Sequence, residues 1–473
     1  MSAPNSEDND RFEVGGEILF NESLHKQQED DSKTNETEST ITEKIEDIRV
    51  RIGTLLKTDT VSLLLGAGAS VACGGQLIGK IPILLEEFLL EKGVNGENGK
   101  NVESWLVIFY LAIRHIGGDE ICPDTSEKII ARQKGLKGLS DISDEKERAG
   151  KEQEIQLKVN FERVLALLHR WRSALPKKGG RLRIDCINEA PALDAKAEDL
   201  DKAIQHATCA LARACDLPVS GKENALTIHK TLIRKLLTRP LNLKRVNIFT
   251  LNYDTLIEQA ADAEGVVLLD GFVGTQRSVF RPECYEQDLY FPAETTEGRV
   301  HRFDRVLHLY KLHGSITWKQ TETTLDNPYG IEAVSFDTFN QDKQSQPLLI
   351  YPTPAKYGET LGLPYSELFR RFANAIVRDQ STLFAIGYGF GDEHVNAIIR
   401  QALSVPSFTL VIVDPAPMSD FVEKLREQRD RRIWIAEGHT LGTIRGFVEN
   451  LLPDLRDEEI RKQVLATYRA LSK

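Results

Sequence analysis

The sequence predicts an α/β fold: a Rossmann-like, doubly wound parallel sheet with a large, mainly helical insertion after its first strand. Three observations predict it. Short apolar runs recur at 61–65, 246–251, 306–312, 348–351, 383–387, 410–413 and 433–436, most of them without polar alternation, as strands buried on both faces read. Amphipathic patterns follow several of these runs, at 254–261 and 393–403, as helices covering a parallel sheet do. Finally, about 180 residues separate the first run from the second, far beyond an ordinary crossover connection, so a unit is inserted there.

Taken in order, residues 1 to about 40 are rich in Asp, Glu, Asn, Ser, Thr and Gln, too polar to offset the entropy of ordering, and read as a disordered acidic tail. Ile41, Ile45, Ile48 and Ile52 recur at steps of four and three, one face of a helix that leads into the first strand. One α/β domain is expected over 41–450, interrupted by the helical insertion at about 75–240. Within the insertion Phe161, Val164, Leu165, Leu168 and Trp171 keep helical spacing, as do Leu226, Ile233 and Leu236. Charged, glycine-containing stretches at 135–154 and 177–183 read as connections. A C-terminal helix is expected at 451–473.

Composition narrows the function classes. With 473 residues and 41% hydrophobic content, the chain buries a large core and exceeds one domain of usual size. Its net charge of −11 argues against a broad nucleic-acid surface, so direct nucleic-acid binding is not expected. Six cysteines form no C-x-x-C pair, and no basic-then-apolar leader opens the chain, which points to a reducing cytoplasm. The longest apolar stretches, such as 105–113, are too short to span a bilayer, so no membrane association is expected.

The chemistry concentrates at strand ends. The first run passes into Gly66-Ala67-Gly68-Ala69-Ser70, a turn in which glycines let backbone approach a pyrophosphate while a following helix offers its amide groups; the same pattern also arises from tight packing alone. The second run ends in Thr250-Leu251-Asn252-Tyr253-Asp254, where Asn252 and Asp254 either cap the next helix or face a ligand. The third ends at His313-Gly314, an imidazole that is either a general base or a hydrogen-bonded structural residue. A later strand delivers Gly387-Tyr388-Gly389-Phe390-Gly391-Asp392. There Gly387 and Gly389 permit close approach to a ribose or phosphate, and Asp392 reads as a helix cap. Asp414 ends one further strand, placed to bond ribose hydroxyls.

As an ordered set, Gly66-Ala67-Gly68-x-Ser70, Thr250-x-Asn252-x-Asp254, His313-Gly314 and the turn at 387–392 resemble the motifs of the sirtuin superfamily. More closely, the chain looks like the sirtuin-like NAD hydrolases of bacterial anti-phage systems. The resemblance implies that NAD is a consumed substrate, split at the nicotinamide–ribose bond through an oxocarbenium-like ribose. Asn252 then orients the ribose or a water and His313 acts as base. Gly66, Ala67, Gly68 and Ser70 hold the pyrophosphate, with Thr250, Asp254, Gly387, Gly389 and Asp414 completing the pocket. It further implies a homo-oligomer, latency in healthy cells, and a separate regulatory partner such as a HerA-type ATPase.

Two departures qualify this. The paired C-x-x-C motifs of zinc-bearing deacylases are missing and His206, Cys209 and Cys215 read as core residues, so no zinc is expected. The loop Gly74-Gly75-Gln76-Leu77-Ile78-Gly79-Lys80-Ile81-Pro82 lacks the Arg and Phe of the sirtuin cofactor loop. Alternative functions are a non-hydrolytic scaffold or sensor for NAD or ADP-ribose, and an NAD-dependent deacylase or ADP-ribosyltransferase. A nuclease is disfavoured, since no clustered acidic metal motif stands out.

Overall fold

A computed structural model describes residues 10–21, 34–75, 81–95, 101–117, 122–123, 125–176, 179–184, 193–217, 225–291, 301–334, 347–349 and 364–456. It begins with β1 (Arg11–Val14) and β2 (Glu17–Asn21), followed by helix α1 (Thr34–Leu55) and strand β3 (Thr60–Leu65). Helices α2 (Ile83–Gly93), α3 (Ser104–His115), α4 (Phe161–Ser173) and α5 (Ala197–Cys215) come next, then α6 (Thr227–Leu236) and β4 (Asn247–Thr250). The chain continues through α7 (Leu256–Glu264), β5 (Val267–Leu269), β6 (Val306–Lys311), α8 (Tyr365–Ile376) and β7 (Ser381–Ile386). It closes with α9 (Glu393–Leu403), β8 (Thr409–Val413), α10 (Asp420–Glu427) and β9 (Ile433–Glu437).

These strands form one nine-stranded sheet in the order β2-β1-β9-β8-β7-β3-β4-β6-β5. All neighbours from β9 to β5 run parallel. The fold is thus mixed α/β with a large, parallel-dominated sheet. Every residue of the central β3 and β7 is buried, which explains their uninterrupted apolar sequences. Alternate side chains serve two cores. Leu63 and Leu65 join Ile48, Ile52, Leu232 and Ala260 on one face, while Leu64 joins Phe372, Ile399 and Leu425 on the other.

The helices between β3 and β4 build a third core around Leu89, Trp105, Phe109, Phe161, Leu165, Leu168, Leu200 and Leu211. Tyr253 and Ile316 carry this core to the edge of the main sheet. Inside it Glu86, fully buried, accepts from Arg132 Nε and Nη2 at 2.5 and 2.8 Å and from the Tyr110 hydroxyl at 2.8 Å. Such a charge is tolerable there only because it is paired and hydrogen-bonded.

Several expectations are corrected. The stretch 135–154, read as a connection, is largely helical, taken up by the helices Ser126–Lys137 and Glu145–Ile155 and a 3-10 turn between them. Within the stretch read as a disordered tail, residues 11–21 form a hairpin: β1 pairs with β2 and adds antiparallel to β9. Burial of Phe12 and Phe20 accounts for it, as does Glu13, whose carboxylate takes Arg11 and Arg426 at 2.6 and 2.7 Å. Helix α1 starts at Thr34 within the same stretch. The run at 348–351, read with the parallel strands, instead contributes Pro347–Leu349 to a separate five-stranded sheet, paired antiparallel to Gly314–Gln320. Residues 1–9 and 22–33 of the tail, 76–80 of the loop and 457–473 of the expected C-terminal helix lie outside the described residues. Among the described residues no helix is long and apolar enough to cross a membrane.

Candidate active site

From β3 the chain lays β4, β6 and β5 on one side, then returns to lay β7, β8 and β9 on the other. Connections leave β3 and β7 in opposite directions, so the carboxyl ends of these two strands mark the reversal of strand order, the place where sheets of this kind bind ligands. The two predicted glycine turns meet there. Gly66 N donates to Ile386 O and Gly68 N to Gly387 O, each at 3.0 Å. Gly387 has φ +59°, and a Cβ on it would come 2.6 Å from Gly68 Cα and 2.7 Å from Ala69 N. No other residue fits that contact. Gly66 is equally constrained, against Gly387 O and Tyr388 Cα. These three glycines therefore press backbone on backbone, whereas Gly389, at φ +68°, is exposed and has open space at its α-carbon.

The helix expected directly after Gly68 is replaced by two 3-10 turns, Ala67–Ala69 and Val71–Cys73. Ala69 N and Ser70 N close back on Gly66 O and Ala67 O, and Ser70 O accepts from Cys73 N and Gly75 N at 2.9 Å each. The amides of Gly66, Gly68, Ala69 and Ser70 are thus committed within the protein, rather than presented together as a helix N-terminus. Behind the turn stands His229, which the sequence reading passed over. It is buried, bonds the Ala69 backbone, and lies 3.5 Å from Cys73 Sγ through Nδ1. Burial holds its pKa below the ordinary histidine value.

The polar residues after β4 lock onto this turn. Asn252 Nδ2 donates to Gly66 O and to Ser70 Oγ, both at 2.8 Å, and Ser70 Oγ in turn donates to Asp254 Oδ2 at 2.6 Å. Thr250 Oγ1 accepts from Asn252 N at 3.1 Å and donates to Leu65 O at 3.3 Å. Asp254 Oδ1 accepts from Leu256 N at 3.2 Å, starting α7. Lys311, almost fully buried, bonds the Asp254 carbonyl and pairs with Glu258 at 2.7 Å. No hydrogen bond engages Asn252 Oδ1 among the described residues, which leaves it as an acceptor.

Register brings the histidine to the same edge. Thr250 stands opposite both Lys311 and Leu65, and Leu65 opposite Ile386. Asn252 and His313 accordingly lie two residues beyond a common level, with Gly387 one beyond. His313 is buried, and its Nε2 lies 3.1 Å from Asp392 Oδ2. Asp392 Oδ1 accepts from His394 N and Val395 N at 3.0 and 3.4 Å, capping α9. The cap expected from sequence is present, and the same side chain also orients the imidazole. The Tyr388 hydroxyl, 3.0 Å from both Asp392 O and Asn396 Oδ1, and Asn396 Nδ2, 2.9 Å from Phe390 O, brace this turn. Asp414 accepts from Ala416 N at 2.9 Å and from the Gly389 backbone, and burial raises its pKa above the ordinary aspartate value.

Sequence reasoning missed Asp392 as a partner of His313, together with Lys311, Tyr388 and Asn396. Asp392 alone carried a signal, since an acid at a strand-end turn is a ligand candidate as well as a cap.

Residues 246–438 match the family model for the SIR2-like domain. The match spans less than half of the chain, so this part is similar to a SIR2-like domain, a kind of domain that uses NAD. It contains Thr250, Asn252, Asp254, His313, Gly387, Gly389 and Asp414, while the turn at 66–70 lies outside it and joins through the hydrogen bonds above. Comparison with curated proteins returns no match. The residues suit an NAD-type ligand in kind: an amide oxygen without a partner among the described residues, an imidazole, a carboxylate and an open glycine lie at one edge of the sheet. Among the described residues no group of three or more His, Cys, Asp or Glu could hold a metal ion. His206 stacks on Trp105 at 4.3 Å, and burial pushes the thiols of Cys209 and Cys215 up.

Proposed function

We propose that this chain is an NAD glycohydrolase, splitting the nicotinamide–ribose bond to give nicotinamide and ADP-ribose on a Rossmann-like, doubly wound sheet. The observation that carries the reading is the His313–Asp392 pair, set in strand register with Asn252 at the reversal of strand order. Asp392 accepts from Nε2–H, which fixes the tautomer and leaves the basic lone pair on Nδ1. His313 then takes a proton from water or a ribose hydroxyl, and the Asp392 carboxylate stabilises the imidazolium. Asn252 Oδ1 orients the hydroxyl or water, because its Nδ2 is anchored on Gly66 and Ser70. Asp414 and Gly389 border the ribose and phosphate path.

Indiscriminate NAD cleavage is toxic, so the reading includes latency, with a role as an anti-phage effector that depletes NAD in the cytoplasm. Homo-oligomerisation and a separate partner such as a HerA-type ATPase belong to the same reading and come from the family resemblance alone. A second reading, binding of NAD or ADP-ribose without turnover, draws on the internal use of the Asn252 amide and Ser70 hydroxyl.

The test is incubation of the purified full chain with NAD, alone and with proteins that co-purify from its host, following nicotinamide and ADP-ribose. Cleavage that disappears in Asn252→Ala and His313→Ala supports the hydrolase. NAD binding without cleavage under every condition would favour the second reading.

A further inference from the structure

At the opposite edge of the sheet, where β3, β4 and β6 begin, an open cleft of about 450 Å³ lies between those strand starts and helix α8. A six-residue parallel strand rises roughly 3.3 Å per residue, so strand length alone sets this cleft about 17 Å from the candidate active site. Six lysine and arginine side chains line it against two carboxylates, in a chain whose net charge is −11.

Ion pairing leaves two of these cations over: Arg370 is taken by Glu367 at 2.7 Å, just outside the lining. Asp288 is taken by Arg245 at 2.7 Å and by Arg302 at 2.6 Å, and Glu286 by Arg371 at 2.8 Å. Lys244 and Arg378 stand exposed, and neither has a carboxylate at ion-pair distance among the described residues. They also feel each other: burial, and after it the Arg378 guanidinium, hold the Lys244 ammonium below its ordinary value, although the Asp59 carboxylate, beyond ion-pair distance, pulls the other way. Like charges left facing across a concave surface cost stability unless an anion joins them. A third, independent feature lies in the wall. Thr60 has 2% of its surface exposed, and its hydroxyl has no hydrogen-bond partner among the described residues, which is uncommon for a buried polar atom.

From the cleft, its two unpaired cations and the orphaned hydroxyl, we propose a second ligand site at the amino edge of the sheet for a small molecule bearing a phosphate chain. The volume falls in the range of small-ligand pockets. Lys244 supplies a point charge and Arg378 a planar fork, a combination that suits adjacent phosphoryl groups better than a single carboxylate. The site is distinct from the candidate active site and does not rest on the reading of that site as an NAD hydrolase.

The test uses the full-length protein with two probes, inorganic tripolyphosphate and ADP, read by backbone hydrogen exchange and by calorimetric titration. Both probes, or tripolyphosphate alone, are expected to protect residues 241–247 and 370–378; ADP the more strongly identifies a nucleotide, tripolyphosphate alone an inorganic chain. The double variant Lys244→Met/Arg378→Met is expected to weaken binding at least tenfold while its melting temperature stays level or rises, since a repulsive pair is removed. Lys244→Arg, which keeps the charge, should retain binding. Absence of protection at millimolar probe, protection confined to 66–75 and 387–392, or unchanged affinity in the double variant would overturn the proposal. So would a response to a single-stranded oligonucleotide with none to either small probe.

Discussion

Asp392 uses its two oxygens for two tasks: Oδ1 caps α9 through His394 N and Val395 N, and Oδ2 lies 3.1 Å from His313 Nε2. Local folding and site chemistry share one side chain, and the two functions separate by substitution. Asparagine is as good an N-cap as aspartate, but it removes the charge that would hold an imidazolium. Asp392→Asn should therefore unfold within about 0.5 kcal/mol of the parent yet lose NAD cleavage by roughly 100-fold or more, mainly in kcat, as expected when a base loses its orienting carboxylate. Asp392→Ala should lose both, with about 1 kcal/mol less stability. Urea denaturation beside nicotinamide release separates the outcomes. Equal activity in Asp392→Asn and the parent would remove His313 from the chemistry.

Asn252 carries a comparable double load. Its Nδ2 satisfies Gly66 O and Ser70 Oγ, so truncation leaves acceptors short of a donor at a junction that holds two strands' turns together. Asn252→Ala is expected to cost about 1–3 kcal/mol of stability and to abolish cleavage. Ser70→Ala, which removes the link to Asp254 but leaves Asn252 Oδ1 in place, should cost a similar amount while retaining measurable turnover. Thermal melts and NAD turnover of the pair check this, and identical losses of turnover would mean that Asn252 acts only through the network.

The glycine turns give a steric contrast. Gly387 faces the backbone of Gly68 and Ala69, whereas Gly389 faces open space, although both have positive φ. Gly389→Ala should incur only the left-handed backbone cost of about 1 kcal/mol. Gly387→Ala adds an overlap that only separation of the two turns relieves, and should destabilise by roughly 3 kcal/mol or more. Melting temperatures of the two variants measure the difference, and equal shifts would show that the contact yields without cost.

How much of this was legible in the sequence follows from which signals are local. Continuous apolar runs marked β3, β4, β6, β7, β8 and β9 because both faces of each strand are covered, and polar residues stood out where those runs stop. The hairpin at 11–21 was hidden by its acidic surroundings, yet Gly15-Gly16 between two short runs is a hairpin signal. Both glycines have positive φ, and the residues on either side pair antiparallel. The 3-10 turns after β3 were not legible, since they depend on Ser70 O gathering two amides. Neither was the His313–Asp392 contact, which joins positions 79 residues apart and exists only once the order β7-β3-β4-β6 is set. The cationic cleft escaped for the same reason: its lysine and arginines are scattered from 244 to 378 and meet only through the sheet.

The acid limb of stability should carry the mark of His308, which lines that cleft. Burial, opposed by Asp288 and reinforced by Arg245 and Arg302, lowers its pKa from 6.5 to about 4. Between those values the unfolded chain binds a proton that the folded chain does not, so stability rises with pH across this window and is lost as pH falls from about 6.5 toward 4. The full swing is on the order of 3 kcal/mol for one histidine with such a shift, reduced by whatever solvent reaches the half-buried ring. His308→Gln has no proton to gain, and its stability relative to the parent should improve steadily as pH falls through the window and level off below about 4. Denaturant melts of both proteins at half-unit steps from pH 4 to 8 provide the measurement. Parallel curves would mean that His308 titrates normally and that the cleft is wetter than its burial implies.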